Sequence, residues 1–194
     1  MENLHIDTKT TALLVMDCQI EIFNSLTPSE KAKVLGNLTK AISAARRASL
    51  SIIYIVVQFR EGYPEISARN TLFSGMKGTG RLVEMGPDTR ICNEIRPNPD
   101  EVIVTKRRIS AFTGSDLEVV LRSKNIDTLV LTGVSSLGVV ESTARQAFDM
   151  DYRIFVIEDC CSDRDPKANE IAISWLLPRS STLCSINDFV KAIS

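Results

Sequence analysis

Two charged residues directly follow apolar runs that are typical of buried strands. Asp17 comes after ALLVM at 12–16, and Lys106 closes EVIVTK at 101–106. A carboxylate at such a place costs free energy unless it is paired or used, so a turn aspartate and a catalytic aspartate are both open interpretations. Lys106 is either a solvated lysine of the run KRR or a partner that tunes the pKa of Asp17 and binds an anionic group. As a pair, the two residues would supply acid–base chemistry.

Thiol and imidazole groups are poorly placed for chemistry in this sequence. Cys18 directly follows Asp17, so in an extended strand it faces the opposite side, and we predict a core residue. Cys160 and Cys161 follow the fifth predicted strand and are expected to form a buried wall. The single histidine, His5, leaves no ligand spacing for zinc, so we expect neither a metal site nor a cofactor.

Composition and charge exclude several classes of protein. The chain has 194 residues, of which 44% are hydrophobic and 24% charged, which is enough to build the core of one domain spanning 1–194. The formal net charge of −1 argues against a nucleic-acid partner, which requires a basic surplus. No apolar run approaches the ~18 residues of a membrane span, so no membrane partner is expected. The segment MENLHIDTKT lacks the pattern of a signal peptide and the cysteine count is odd, which predicts a cytoplasmic protein with reduced thiols.

Short apolar runs that alternate with helical patterns position the two charged residues. Strands are predicted at 12–16, 51–57, 101–106, 127–134, 152–159 and 181–186. Helices are predicted after the Thr27-Pro28 cap, from an N-cap at Ser115 to residue 125, and at 139–150, 166–177 and 187–193. The Gly- and Pro-rich stretch 60–100 is predicted to be a long irregular excursion with short helical turns. This alternation predicts an α/β fold with a mostly parallel sheet, helices on both faces, and a ligand site beyond the carboxyl ends of the strands.

Three segments in order resemble one enzyme family across nearly the whole chain. They are ALLVMDCQIEIF at 12–23, VIVTKRRISAFTGSDLEVVLRSKNIDTLVLTGV at 102–134 and GVSSLGVVESTARQAFDMDYRIFVIEDCCSD at 133–163. The chain resembles the isochorismatase-like hydrolases, also called the cysteine hydrolase superfamily. The resemblance implies a three-layer fold with a six-stranded sheet in the order 3-2-1-4-5-6. It also implies a cis peptide bond between Val134 and Ser135.

The resemblance also implies which residues form the site. Asp17 and Lys106 are the expected catalytic residues. The expected substrate-binding residues are Gln19, Phe23, Gln58, Arg60, Val134, Ser135, Gly138 and Val139.

The sequence departs from the family pattern at the nucleophile. Members that cleave amides use an Asp, Lys and Cys triad, and their cysteine opens the helix after the fourth strand, where this chain has Val139. Valine cannot attack a carbonyl group, and Ser135 and Ser136 have no activating base apart from His5. Relatives that hydrolyse nicotinamide carry zinc ligands after the second strand, where this chain has QFREGYPEI without histidine.

Three interpretations of function remain open on the sequence. The first is a family hydrolase acting on a small molecule through Asp17 and Lys106; the isochorismatases themselves lack the cysteine and hydrolyse a vinyl ether, a reaction in which an acidic carboxyl protonates the enol carbon. The second is a catalytically inactive member that acts as a binding or scaffolding protein. The third, an unrelated nucleotide-binding domain, is disfavoured because the glycines of KGTGR do not follow a strand.

A homo-oligomer, either a dimer or a tetramer, is expected from the resemblance and from apolar residues near the end of the chain. These residues are Trp175, Leu176, Leu177, Phe189 and Val190.

Overall fold

Six parallel strands form one sheet in the order β3-β2-β1-β4-β5-β6, in a computed structural model that describes residues 6–194. His5 lies outside the described residues. The strands are β1 (Thr11–Met16), β2 (Ser51–Val57), β3 (Val102–Lys106), β4 (Thr128–Val134), β5 (Arg153–Ser162) and β6 (Thr182–Cys184). The predicted strand order and fold class are confirmed. Strands β1, β2 and β4 are apolar and buried nearly throughout, as expected of strands covered on both faces.

Helices cover both faces of this sheet. The helices are α1 (Ile20–Phe23), α2 (Pro28–Arg47), α3 (Thr71–Ser74), α4 (Leu117–Ser123), α5 (Glu141–Asp149), α6 (Pro166–Ile171) and α7 (Ile186–Ala192). One core cluster contains the inner faces of α2 and α7, and the cluster on the other face contains those of α4 and α5. The sequence-predicted cap of α2 is confirmed, because the Thr27 hydroxyl accepts a hydrogen bond from the backbone N–H of Glu30 at 3.3 Å.

Several helix ends differ from the sequence-based expectation. Helix α4 begins after Asp116 rather than Ser115, and the Ser115 hydroxyl accepts a hydrogen bond from the Leu117 N–H at 3.2 Å and donates one to the carbonyl of Ala111. The predicted helix 139–150 is preceded by a wide π turn at Ser136–Val140. The predicted helix 166–177 is α6 continued by a π turn at Ala172–Leu176 and a 3₁₀ turn at Leu177–Arg179. None of the described helices is both long and apolar enough to cross a bilayer.

The predicted excursion between β2 and β3 is confirmed. It contains α3 and 3₁₀ turns at Pro87–Thr89 and Asn93–Ile95. A small apolar cluster, including Phe59, Tyr63 and Leu82, fixes the excursion to the end of β2. The excursion is therefore a packed wall above the carboxyl ends of the first three strands.

Candidate active site

The register of the sheet brings Asp17 and Lys106 to the same edge. Lys106 is the last residue of β3 and lies opposite Val57 at the end of β2. Asp17 is the first residue after β1, and its backbone N–H donates to the carbonyl of Ile55 in β2 at 2.9 Å. Asp17 adopts a left-handed backbone conformation with φ of 52°, which turns the chain from the strand into α1.

Asp17 and Lys106 form a buried ion pair. The distance between Lys106 Nζ and Asp17 Oδ2 is 2.9 Å, and the side chains are 1% and 4% exposed. The same ammonium group also donates to the carbonyls of Arg108 at 3.1 Å and Ile109 at 2.8 Å. An ammonium has three hydrogens, so these acceptors occupy every donor of Lys106. Every donor of Lys106 is therefore used within the protein, which leaves none for a substrate.

The two oxygens of Asp17 have different surroundings. Oδ2 accepts the bond from Lys106, whereas the buried Oδ1 has no hydrogen-bond partner. Burial raises the pKa of Asp17, and the charge and hydrogen bond of Lys106 lower it by less, so the pKa lies above its ordinary range. A carboxyl group with a raised pKa and one unoccupied oxygen has the properties of a general acid.

Asp17 and Lys106 lie at the base of a cavity of about 680 Å³. The loop after β4 forms one wall, with Val134, Ser135, Gly138 and Val139. The excursion supplies the facing wall with Leu72, Phe73, Met76, Arg81 and Leu82, and α1 with its flank contributes Glu21, Ile22 and Ser25. The remaining lining comes from Val57, Ile109, Leu137, Asp163, Arg164, Asp165 and Ala168.

The loop after β4 begins at a close approach between two strands. Gly133 lies opposite Met16 of β1, has φ of 141°, and a Cβ atom there would lie 2.2 Å from the Met16 carbonyl oxygen. The peptide bond between Val134 and Ser135 is cis, as predicted. The Ser135 hydroxyl accepts a hydrogen bond from the Gly138 backbone N–H at 3.0 Å, and Val139 follows with its side chain on the cavity.

The structure brings six of the predicted site residues together and places four elsewhere. The six are Asp17, Lys106, Val134, Ser135, Gly138 and Val139. Gln19 is fully buried, and its amide bonds to the backbone of Val57 and Thr89, which leaves no group for a ligand.

Three further residues that were predicted to bind substrate also lie outside the cavity. Phe23 is fully buried in the core under α2. Gln58 lines a separate groove beside β3, and the Arg60 side chain extends outward to form an ion pair with Glu65. Gln58 and Arg60 follow the end of β2 and Phe23 ends α1, but none of the three lines the cavity.

The walls from the excursion and from 163–168 were not expected from the sequence. Leu72, Phe73 and Met76 lie in a segment without a regular hydrophobic pattern, so nothing in the chain indicated which of its side chains turn inward. Asp163 and Arg164 follow β5, and the position beyond a strand end was their only signal.

None of the cysteines lines the cavity. Cys18, Cys92, Cys160, Cys161 and Cys184 are buried and free. Burial raises the pKa of each thiol, to about 11 for Cys92 and about 12 for Cys161 and Cys184. Buried, protonated thiols are inert, in agreement with the expected core role of Cys18 and the buried wall at Cys160 and Cys161.

Comparison with known proteins settles the family to which this arrangement belongs. A model of the isochorismatase domain matches residues 11–188. The chain belongs to the isochorismatase family. An uncharacterized isochorismatase family protein of Bacillus subtilis (strain 168), YwoC, is 30% identical over 195 residues, covering 100% of this chain and 99% of the relative.

Two further relatives of this isochorismatase-family chain bear on chemistry and on fold. Ureidoacrylate amidohydrolase RutB of Pseudomonas syringae pv. syringae (strain B728a) is 29% identical over 215 residues, covering 100% of this chain and 87% of the relative. The crystal structure of a cysteine hydrolase from Pseudomonas syringae pv. phaseolicola 1448A has a TM-score of 0.87 at 22% identity, over 98% of this chain and 95% of that one. The structural likeness shows a shared fold.

A metal centre was not expected in this isochorismatase-family chain. Within residues 6–194, no three His, Cys, Asp or Glu side chains are arranged as a group that could hold a metal ion.

Proposed function

We propose that this isochorismatase-family protein hydrolyses a small organic substrate by acid chemistry at Asp17, without a covalent thiol intermediate. The asymmetry of the Asp17 carboxyl carries the proposal: Oδ2 is bound by Lys106, the buried Oδ1 has no partner, and the residue lines a cavity of about 680 Å³. Held in this way, the carboxyl can present a proton on Oδ1 while Oδ2 stays fixed.

The side chain at position 139 supports chemistry without an acyl-enzyme. The family resemblance places the thiol of the cysteine-dependent members there, and this chain has the hydrocarbon side chain of Val139 on the cavity wall. The five thiols of the chain are buried elsewhere. The cavity lining therefore contains no thiol that could act as a nucleophile on a bound carbonyl group.

Hydrolysis of a vinyl ether fits these groups. The Asp17 proton moves to the terminal carbon of the C=C bond, and the ether carbon becomes an oxocarbenium ion beside the Asp17 carboxylate. Water adds to that carbon, and the resulting hemiacetal separates into a carbonyl compound and an alcohol while a proton returns to Asp17. The net reaction consumes one water and needs no oxidant or covalent intermediate.

Lys106 supports this cycle as a positioning residue. Its charge stabilises the Asp17 carboxylate that exists after proton transfer, and its bonds to the carbonyls of Arg108 and Ile109 fix the ammonium in place. Burial keeps the pKa of Asp17 raised despite this charge, so the acid is protonated over a wider pH range than an ordinary aspartate.

A non-catalytic binding protein is the second candidate. The observation in its favour is that Lys106 satisfies all its donors within the protein, so the ion pair is also a complete structural unit. A binding protein would use the same cavity but would not transfer a proton from Asp17.

Turnover of aryl vinyl ethers by the wild type and by Asp17→Asn distinguishes the two candidates. Asparagine accepts the left-handed backbone of position 17, and its amide oxygen can still accept the Lys106 hydrogen bond. Because the charge of Lys106 then lacks its counter-charge, a urea titration of the variant is the control that it is folded in the assay. We expect Asp17→Asn to lower the rate by about 10²–10⁴-fold, because a general acid contributes this much. In D₂O the wild type should place one deuteron in the methyl group of the acetaldehyde product.

The pH profile provides a second measurement. The protonated form of Asp17 is the active one, so kcat should fall as the pH rises through the raised pKa of Asp17. A wild type without turnover, or an Asp17→Asn variant with full activity, would refute the acid mechanism.

A further inference from the structure

We propose that the substrate of this cavity is an uncharged, largely apolar molecule and that the site discriminates against carboxylates. The reaction assumed for this substrate is the one in the proposed function. The charge selectivity is inferred separately, from the charged side chains that line the cavity. Seven ionisable side chains line the cavity, and four of them are carboxylates while three are cations.

Two of the three cations, Lys106 and Arg81, are paired with carboxylates of the protein itself. Lys106 gives its three donors to Asp17 and to two backbone carbonyls. Arg81, on the excursion, forms an ion pair with Glu21 on α1. A substrate carboxylate would have to displace a protein acceptor from Lys106 and would leave that acceptor without its partner. Arg81 keeps free N–H groups, but the charge of Glu21 already balances its own and its side chain is 55% exposed, so solvent weakens its attraction for an anion.

Arg164 is the remaining cation, and it lies at the exposed rim between two carboxylates. Throughout the described range 6–194, it forms no ion pair within 4.0 Å. Its neighbours Asp163 and Asp165 also line the cavity, and each accepts a backbone hydrogen bond nearby. Solvent and these two carboxylates weaken the attraction of Arg164 for an anion.

The walls between the rim and Asp17 are mostly hydrocarbon. Ile109, Val134, Leu137 and Val139 line one side, and Phe73 and Met76 line the other. An anion placed there loses hydration and meets no unmatched positive charge, whereas an apolar molecule gains from the same walls. The excess of carboxylates also suits the positive oxocarbenium ion of the proposed reaction.

Matched pairs of probes that have nearly the same size and shape but differ in charge test this inference by binding. The pairs are benzamide with benzoate, cyclohexanecarboxamide with cyclohexanecarboxylate, and 4-vinyloxybenzamide with 4-vinyloxybenzoate. Titrations at neutral pH with methyl-labelled wild-type protein give dissociation constants, and the shifts of the Val139, Ile109 and Leu137 methyl groups report whether the probe occupies the cavity.

We expect each amide to bind at least about tenfold more tightly than its carboxylate, which corresponds to the loss of one favourable polar contact. Arg164→Gln should change the amide constants by less than twofold. Equal or tighter binding of the carboxylates, loss of carboxylate binding specifically in Arg164→Gln, or no binding of any amide would overturn the inference.

The readout separates this inference from the proposed function. Amides that bind while 4-vinyloxybenzamide is not hydrolysed would refute the acid mechanism and support the charge selectivity. Hydrolysis of 4-vinyloxybenzoate in preference to the amide would support the acid mechanism and refute the charge selectivity.

Discussion

The charged ammonium group of Lys106 is buried, and its three hydrogen-bond acceptors offset the cost of removing it from water. A buried ammonium without acceptors would be costly, and the removal of one partner of a buried pair leaves the other charge uncompensated. Asp17 depends on Lys106 in the same way, because the lysine is the group that lowers its pKa against the effect of burial.

Replacement of Lys106 by methionine therefore makes stability strongly dependent on pH. Without the lysine, the pKa of Asp17 rises further, so the folded state holds its proton more tightly than the unfolded chain does. When the pKa of Asp17 is higher in the folded state than in the unfolded chain, protonation stabilises the fold fully at pH values below the unfolded-state pKa. This stabilisation is lost as the pH rises through the folded-state pKa. We expect Lys106→Met to cost about 3–5 kcal/mol of unfolding free energy at pH 8 and clearly less at pH 5, as measured by urea titration.

Lys40→Met is the matched control for this experiment. Lys40 is exposed on α2, so the same substitution there should change stability by about 0.5 kcal/mol or less at both pH values. An equal cost of Lys106→Met at the two pH values would contradict the coupling between the pair.

Position 139 offers a second test at the scale of one residue. The wild-type thiols are buried with raised pKa values, so iodoacetamide should leave the native protein unmodified. A Val139→Cys variant places a thiol on the cavity wall, and we expect a single carbamidomethyl group there by intact-mass analysis. Modification of Cys18, Cys160 or Cys161 in the native wild type, with loss of turnover, would show that the chemistry belongs to a thiol.

The residues at the base of the site were predictable from their positions together with the family resemblance. A charged residue that directly ends a buried strand needs a partner, and this marked both Asp17 and Lys106. Gln19 follows the same strand, but its amide partners are backbone groups of Val57 and Thr89, which are 38 and 70 residues away in the chain. No local pattern reveals such contacts.

At the scale of elements, β1 and β4 approach so closely that only glycine fits at position 133. A Cβ atom would lie 2.2 Å from the Met16 carbonyl oxygen, and φ of 141° disfavours other residues. Gly133→Ala must push β4 away from β1, which separates Asp17 from the loop that carries Val139. We expect a loss of about 3 kcal/mol of stability by urea titration, together with loss of probe binding.

Gly36→Ala is the matched substitution in a helix. Nothing lies within 4 Å of a Cβ atom at this position in α2, so alanine should stabilise the protein by about 0.5–1 kcal/mol. Tolerance of Gly133→Ala at the level of Gly36→Ala would disprove the close approach.

Strand positions were predictable from the apolar runs and the strand order from the family resemblance, whereas the excursion walls were not. Buried parallel strands appear as continuous apolar runs, and the crossovers between them follow a fixed hand. The excursion is held by the cluster of Phe59, Tyr63 and Leu82, whose members come from irregular backbone. Its inward-facing side chains depend on tertiary packing, which no periodicity encodes.

At the scale of the whole molecule, the homo-oligomer remains a prediction, and fewer exposed apolar residues support it than the sequence suggested. Leu177 and Phe189, two of the residues invoked for it, are fully buried in the core. Trp175 and Ile171 are 63% and 48% exposed and lie one helical turn apart on one side of the molecule. We expect sedimentation at micromolar concentration to give a dimer or tetramer, and Ile171→Lys/Trp175→Lys to shift it to a monomer. A wild-type mass near 21.5 kDa would contradict the prediction.

The bond from Lys106 across β2 to Asp17 has a consequence for how the edge of the sheet closes. Strand β3 is an edge strand, and such strands open locally more easily than central ones. When β3 is detached, water reaches Asp17 as well as Lys106, and the pKa of the carboxyl falls toward its ordinary value. When β3 docks, the ammonium of Lys106 loses its water and receives three acceptors in one step, and the burial of Asp17, which outweighs the charge of Lys106, raises the pKa of the carboxyl. We therefore expect closure of this edge to be linked to proton uptake by Asp17, so that hydrogen-exchange protection of β3 depends on pH while that of β4 does not.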